Sequence, residues 1–427
     1  MSNHTENVAI IGGGIAGMAL ALCLHSLSVP CTVYEMRKTE AGSRTAGGGM
    51  MVGGNALAIL DKWGVYEKMV PKGYQFNCVY LKGPDEKTTE CYPFGGKDLF
   101  GYDGLRIYRQ EYLDSLYEVC QAKGVTIEFG AKFTRVVEET ESGVTFELAD
   151  GTTRTASMLV GADGIHSKVR EYACPGVKTK FMGIMAVTSE VVTEKLRIPA
   201  EKDYRFPLQI VTDFGMVAMA PQTPDGSQML IGTQFPTEDR SREDWERLFA
   251  DKEGLKKILQ KDLDKWPDTI KSGIENIKVE AMHVWPFQML PPLPSWTSLP
   301  HRRVAVLGDA AHAVPPTSGQ GASMGIEDVY VLGLLIFEQK KHPEIGWQDT
   351  LAFWQQMRQE RMGEIMELTR LLNNKRLPSV QQADLKKEDI WQDESATNPR
   401  QMAWLYAPKF EERVGTWVKA QVEKPSS

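Results

Sequence analysis

The stretch Asn7-Val8-Ala9-Ile10-Ile11-Gly12-Gly13-Gly14-Ile15-Ala16-Gly17 decides the fold. Asn7–Ile11 carries a short, continuous apolar run, the type expected for a parallel strand covered on both faces. Gly12 permits a tight turn, Gly14 lets a pyrophosphate approach the backbone, and Gly17 lets a helix pack close to the strand. Ala16 lies in the same first helical turn. The helix beginning near Ile15 aims unsatisfied N–H groups and its positive dipole end at the phosphates. Cys31–Tyr34 forms a second strand, and Glu35 stands at its end, where a carboxylate can accept both ribose hydroxyls. Gly-x-Gly-x-x-Gly alone is a weak signal. A strand before it, a helix after it and an acid about 20 residues on make it a dinucleotide site.

Glu35 also discriminates between nucleotides. A carboxylate there repels the 2′-phosphate of NADPH, so the site is expected to hold FAD or NAD(H). The chain has one such fingerprint and no redox Cys pair, which excludes a flavoprotein of the disulfide-reductase type. Two further segments, Gly161-Ala162-Asp163-Gly164 and Gly308-Asp309-Ala310-Ala311-His312, follow far downstream. Their order and spacing point to one FAD gripped by three separated stretches. The chemistry narrows to redox work on a carbon centre or oxygen activation.

These residues resemble the single-component flavoprotein monooxygenases, which include p-hydroxybenzoate and salicylate hydroxylases and many fungal tailoring enzymes of secondary metabolism. The resemblance runs from Val8 to about Arg361. Arg44-Thr45-Ala46-Gly47-Gly48-Gly49-Met50 and Asn55-Ala56-Leu57 look like the family's segment beside the flavin ring, with Gly54 in place of a proline. Ile107-Tyr108-Arg109, with Tyr112 and Leu116, matches a helix start whose arginine reaches the cofactor; a surface ion pair is the alternative for Arg109. Leu159–Arg170 resembles the family's Asp-Gly motif, tied there to FAD and NAD(P)H, although Asp163 is equally suited to cap a helix. Arg303–Pro316 is the most specific match. It implies that Asp309 meets the ribityl chain and that His312 is architectural. Gly319-Gln320-Gly321-Ala322 then opens a helix to about Lys340, whose N–H groups would face the flavin edge where negative charge collects on reduction. Ser323 replaces an asparagine common in relatives.

The resemblance implies an α/β (α+β) fold: a Rossmann-type FAD-binding domain of the p-hydroxybenzoate hydroxylase type, interleaved with an antiparallel-sheet substrate domain. The FAD-binding domain is expected over 1–73, 95–180 and 285–377, the substrate domain over 74–94 and 181–284, and a C-terminal helical extension over 378–427. It also implies that NAD(P)H reduces tightly bound FAD and leaves. Dioxygen then adds at flavin C4a, and the resulting hydroperoxide hydroxylates an aromatic or heteroaromatic small molecule. An epoxidase, a flavin reductase and a non-catalytic flavin-binding protein remain as alternatives. Pro315-Pro316 and Gly319–Ala322 would build the peroxide's seat. The substrate itself needs a base or hydrogen-bond partner. Two positions that in many relatives carry Arg and Tyr-Pro hold Val187-Thr188-Ser189 and Ala220-Pro221 here. Of the remaining candidates Tyr204, Arg205, Gln234 and His283, the expected catalytic pair is Arg205 with Tyr204.

Composition sets the rest. A chain of 427 residues, 42% hydrophobic and 25% charged, is long enough for two domains and a large core. A net charge of −7 without a basic run argues against nucleic acid as a partner. Six scattered cysteines, with neither Cys-x-x-Cys nor His at ligand spacing, read as reduced, mostly buried thiols and no metal site. The apolar run at 8–24 lacks a preceding Lys or Arg and is broken by glycines, so it is neither a signal peptide nor a span. The expected setting is a cytoplasmic monomer or homodimer.

Overall fold

The computed structural model describes residues 6–39, 48–200, 204–377 and 379–424. Arg44, an expected FAD contact, lies outside the described residues.

Val8–Ile11 is the middle strand of a five-stranded parallel sheet. Met158–Gly161 and then Val304–Val306 lie on one side of it; Cys31–Glu35 and Thr126–Phe129 lie on the other. Val8–Ile11, Met158–Gly161 and Val304–Val306 are buried along their whole length, as uninterrupted apolar runs between covering layers should be. Helix Ile15–Ser26 packs on this sheet, and helix Gly321–Lys341 packs on that helix. The two helices approach closely because Gly325 lies against Ala16 and Gly333 against Cys23, where an added Cβ would overlap the thiol.

A second, seven-stranded sheet has the order His283–Met289, Lys180–Val192, Gln228–Pro236, Gly215–Pro221, Leu208–Thr212, Cys78–Lys82 and Thr88–Pro93. All its pairs are antiparallel except Leu208–Thr212 with Cys78–Lys82. The period of two puts Val187, Val191, Leu208, Ile210, Val217, Met219 and Ile231 on one face. Helices Arg242–Ala250, Lys252–Gln260 and Asp268–Glu275 cover that face through Trp245, Leu255, Leu259, Ile270 and Ile274. Each such aliphatic side chain, fully buried, contributes about 1.5–3 kcal/mol, so this face is a core and not a ligand surface. The opposite face looks toward the nucleotide side: Leu230 lies beside Gly48, and the Tyr108 hydroxyl donates to Glu190 at 2.9 Å.

Strand membership differs from the sequence expectation at two places. Tyr74–Phe76 pairs with Gly104–Tyr108, which pairs on its other side with Gly49–Val52, in a small separate sheet and not in the large one. The expected boundary at 284/285 cuts through His283–Met289, which pairs as a unit with Lys180–Val192. The cysteine expectation also needs correction. Cys78 and Cys91, on neighbouring antiparallel strands with Cα atoms 5.8 Å apart, form a disulfide. Register, invisible in the spacing, brought two scattered cysteines into bridging range. Cys23, Cys31, Cys120 and Cys174 are free, and burial pushes the Cys23 thiol up to about 12.

Helix Trp347–Lys375 closes the nucleotide side, and the C-terminal segment packs back onto it. Phe410, Val414 and Val418 join the main core, Phe353 stacks on Trp417 at 4.5 Å, and Leu405 and Tyr406 meet Phe94 and Phe100. No helix among the described residues is long and apolar enough to cross a membrane.

Candidate active site

Three adjacent parallel strands hand the chain to loops at the same edge of the sheet. Val8–Ile11 leads into Gly12–Gly14, Met158–Gly161 into Ala162–Gly164, and Val304–Val306 into Gly308–Ala310. Backbone bonds lock the loops together: Ala162 N–H donates to the Ile11 carbonyl at 2.8 Å and Leu307 N–H to the Gly161 carbonyl at 3.1 Å. Carboxyl ends of parallel strands are where open α/β sheets bind nucleotides.

Glycine is demanded here for two different reasons. Gly12 has φ +106°, and a Cβ on it would stand 2.6 Å from the Ala162 carbonyl oxygen; one on Gly17 would overlap the Gly12 carbonyl oxygen. Both hold loop and helix together. Gly14 differs, because nothing lies within 4 Å of where its Cβ would be. It caps helix Ile15–Ser26 without any side-chain hydrogen bond, so the helix end is open toward that space. The 21-residue helix Gly321–Lys341 likewise starts with no side-chain cap. The turn before it, Pro316–Ser318 followed by Gly319 at φ +68°, is wedged between Phe94 and Met51. Two uncapped helix ends on one crevice suit an anionic dinucleotide.

The side chains around the crevice are arranged to match. Glu35 accepts from Gly13 N–H at 2.6 Å and from Arg37 Nε at 2.9 Å. Arg37 also donates to the Gly13 carbonyl and to the Tyr117 hydroxyl. The Arg37 backbone N–H also donates to Glu35, at 2.8 Å. Since a carboxylate offers about four acceptor sites, Glu35 keeps capacity for one further donor such as a ribose hydroxyl. Asp309 is exposed on its turn and Arg109 is exposed at the start of helix Arg109–Ala122; neither makes an ion pair among the described residues. The surface-pair alternative for Arg109 thus has no partner. Asp163 does cap: one oxygen accepts from Lys168 N–H at 2.7 Å and Val169 N–H at 3.2 Å. Its other oxygen is buried without a partner, and burial raises its carboxyl above the usual range. Gly48, Gly321 and Ala322 are half-buried along the same opening.

Residues 5–342 match the FAD binding domain family. The chain belongs to that family. Family membership brings the cofactor, FAD, and the relatives bring the reaction class, an FAD-dependent monooxygenase. One relative is the FAD-dependent urate hydroxylase of Mycolicibacterium vanbaalenii, 27% identical over 91% of this chain and 92% of its own. Another is the 6-hydroxynicotinate 3-monooxygenase of Pseudomonas fluorescens, 25% identical over 86% of this chain and 91% of its own. The solved salicylate hydroxylase substrate complex superposes over the full length of both chains at 23% identity and a TM-score of 0.74.

Beneath the FAD crevice lies a buried ionic network. Arg358 donates to Glu327 and to Asp328, both at 2.7 Å, and all three side chains are fully buried. Arg361 adds a bond to Glu327 at 3.1 Å, and Asn55 donates to Glu327 at 2.7 Å. Burial pushes the Glu327 carboxyl up, but Arg361 and Arg358 outweigh it and hold it below the usual range. Asp328 accepts from Gly308 N–H at 2.9 Å and meets His312 Nε2 at 2.5 Å. The network thereby fixes the backbone that presents Asp309. His312 is buried against Trp296, with its Nε2 on Asp328. Of these groups, sequence reasoning picked out Asn55, Gly308 and His312, and reached Arg361 only as the end of the resemblance. It missed Arg37, Tyr117, Glu327 and Asp328. The available signals were an Arg two residues beyond the strand-end acid, and an acid pair one long helix before an Arg-x-x-Arg.

Arg205 and Tyr204 do not join this site. The Tyr204 hydroxyl donates to Glu86 at 2.5 Å, its ring packs into the helix-covered core, and the Lys82 ammonium lies 4.5 Å from the ring centroid. The Arg205 guanidinium sits over Tyr80, whose ring packs into the same core. The expected catalytic pair is therefore corrected: it stands on the face of the sheet turned away from the FAD crevice. Sequence spacing shows that a residue lies beside a strand but not which side of the sheet it serves.

Proposed function

We propose that the protein hydroxylates an aromatic or heteroaromatic small molecule, consuming NAD(P)H and dioxygen. The observation that carries this reading is the placement of the nucleotide crevice opposite a broad antiparallel sheet whose far face is sealed by helices. A small molecule lying between them is enclosed by protein on both sides. The urate and 6-hydroxynicotinate relatives, which span nearly the whole chain, support the substrate class.

FAD fits the residues present: open space at Gly14, two uncapped helix ends, and the uncommitted Asp309 carboxylate. The pyrophosphate would lie at Gly14, in the turn shaped by Gly12, Ala16 and Gly17, with Glu35 and Arg37 at the ribose. Asp309, Asp163, Arg109 and Gly48 would hold the remainder, and Pro316, Gly319, Gly321 and Ala322 the ring. Bound FAD supplies a two-electron carrier and the means of activating dioxygen. The first-turn N–H groups of Gly321 and Ala322 stabilise negative charge developing beside them. Pro315 and Pro316 bring no N–H donors to that wall, and Phe94 and Met51 keep water from the turn at Gly319.

The test is to purify the protein, confirm bound FAD, and screen phenols, hydroxypyridines and purinones. The reading requires at least one compound that accelerates NAD(P)H oxidation and yields a product one oxygen heavier. Acceleration without an oxygenated product would instead assign a flavin reductase. No response to either pyridine nucleotide would remove the enzymatic reading.

A further inference from the structure

Arg376 follows the last turn of helix Trp347–Lys375, and its guanidinium has no carboxylate partner among the described residues. Nε donates to the Gln209 side-chain oxygen at 2.8 Å and Nη1 to the Thr317 carbonyl at 3.0 Å; Nη2 donates to nothing among the described residues. Gln209 alternates with Leu208 and Ile210, whose side chains fill the helix-covered core, so it stands on the face toward the FAD crevice. Thr317 belongs to the turn Pro316–Ser318 that leads into the crevice helix. Arg376 thus bridges the sheet and the cofactor turn.

The charge is set deep in the fold, where burial pushes the guanidinium down to about 10, yet the side chain keeps accessible surface. A cation in that position costs free energy unless something answers it. Its surroundings among the described residues are neutral polar groups, not carboxylates. Tyr92, close enough for its charge to be felt by Arg376, is buried with its hydroxyl beside that of Tyr406, so these two polar groups answer each other. Ser318, next to Thr317, has a buried Oγ without a partner. Arg106 is the contrasting case: it too lacks a carboxylate, but it is closed in with both Nε and Nη2 on Gln222. Among the described residues no carboxylate answers Arg376, and the groups on it are neutral acceptors.

Resting on the proposed hydroxylase reading, we propose that Arg376, with Gln209 beside it, is the recognition site for an anionic group on the substrate. The substrate class is then an aromatic or heteroaromatic acid, and the acid group lies at the sheet end of the crevice. Arg376 is a specificity-determining residue in this assignment; the oxygen transfer itself does not use it.

The experiment uses the FAD-loaded protein and matched acid and amide pairs: salicylate with salicylamide, 6-hydroxynicotinate with its amide, and benzoate with benzamide. Perturbation of the flavin absorption spectrum reads the dissociation constant of each. At least one acid should bind about tenfold or more tighter than its amide, since a charge-assisted pair outweighs a neutral one by that order. In Arg376→Gln that preference should disappear, and in Arg376→Lys part of it should return, with FAD content and melting temperature recorded for both. KM for the acid should rise more than kcat falls. Equal binding of acid and amide in every pair, including no response to any, overturns the assignment on the wild-type protein alone. Persistence of the preference in Arg376→Gln overturns it as well. Failure of the hydroxylase reading shows separately, as absent FAD or absent NAD(P)H oxidation.

Discussion

The nucleotide side and the substrate sheet of this molecule are built on opposite terms. On the nucleotide side the binding surface is backbone, so the glycines that permit it are spelled out in the chain. Gly12 and Gly17 exist to let backbone meet backbone, and Gly14 exists to leave a gap. On the sheet the surface is side chain, and a strand shows alternate residues to opposite faces. Gln209 and Leu208 are neighbours in sequence but look into different environments. A motif therefore announces the first kind of site, whereas the second appears only once the faces are assigned.

That contrast can be broken in order of expected effect on stability. Arg358→Met should be the most damaging change, because Glu327 and Asp328 would be left buried with half their compensation. A loss of about 3–5 kcal/mol is expected, read as a urea midpoint shift. Gly17→Ala should cost about 1–3 kcal/mol through overlap with the Gly12 carbonyl and should weaken FAD retention with it. Tyr204→Phe removes one bond to the buried Glu86 carboxylate and should cost about 1–3 kcal/mol without changing kcat. A large fall in kcat with unchanged stability would return Tyr204 to the active site. Asp309→Ala should leave the stability of the FAD-free protein within about 0.5 kcal/mol. Its FAD dissociation constant, measured by fluorescence titration, should nevertheless rise about tenfold or more, since a charged hydrogen-bond acceptor is lost. If Asp309→Ala and Gly17→Ala behave alike, the division between scaffold and contact is wrong.

The same division explains what the chain disclosed before its structure was known. The strand–turn–helix at Val8–Gly17, the acid at Glu35 and the loops at Gly161 and Gly308 were legible, because backbone conformation restricts residue type. The antiparallel sheet was legible only through the resemblance, and most of that sheet's strands fall in or overlap the segment 181–284. Register was not legible, which hid the Cys78–Cys91 disulfide and the placement of His283–Met289. Partner choice across long separations was not legible either. Asp328 meets Arg358 and His312 because two helices and a turn converge, and no local spacing encodes that. Tyr204 and Arg205 failed for a related reason: polar residues near a strand end look alike from either face.

The most direct measurement is the electron density of the protein loaded with FAD. The dinucleotide should run from Glu35 past Gly14 and Asp309, ending with the isoalloxazine ring at Gly319–Ala322 and its open side toward Gln209 and Arg376. Density placing the ring against the helix-covered face near Tyr204, or leaving Gly14 and Asp309 in different cavities, would contradict the account.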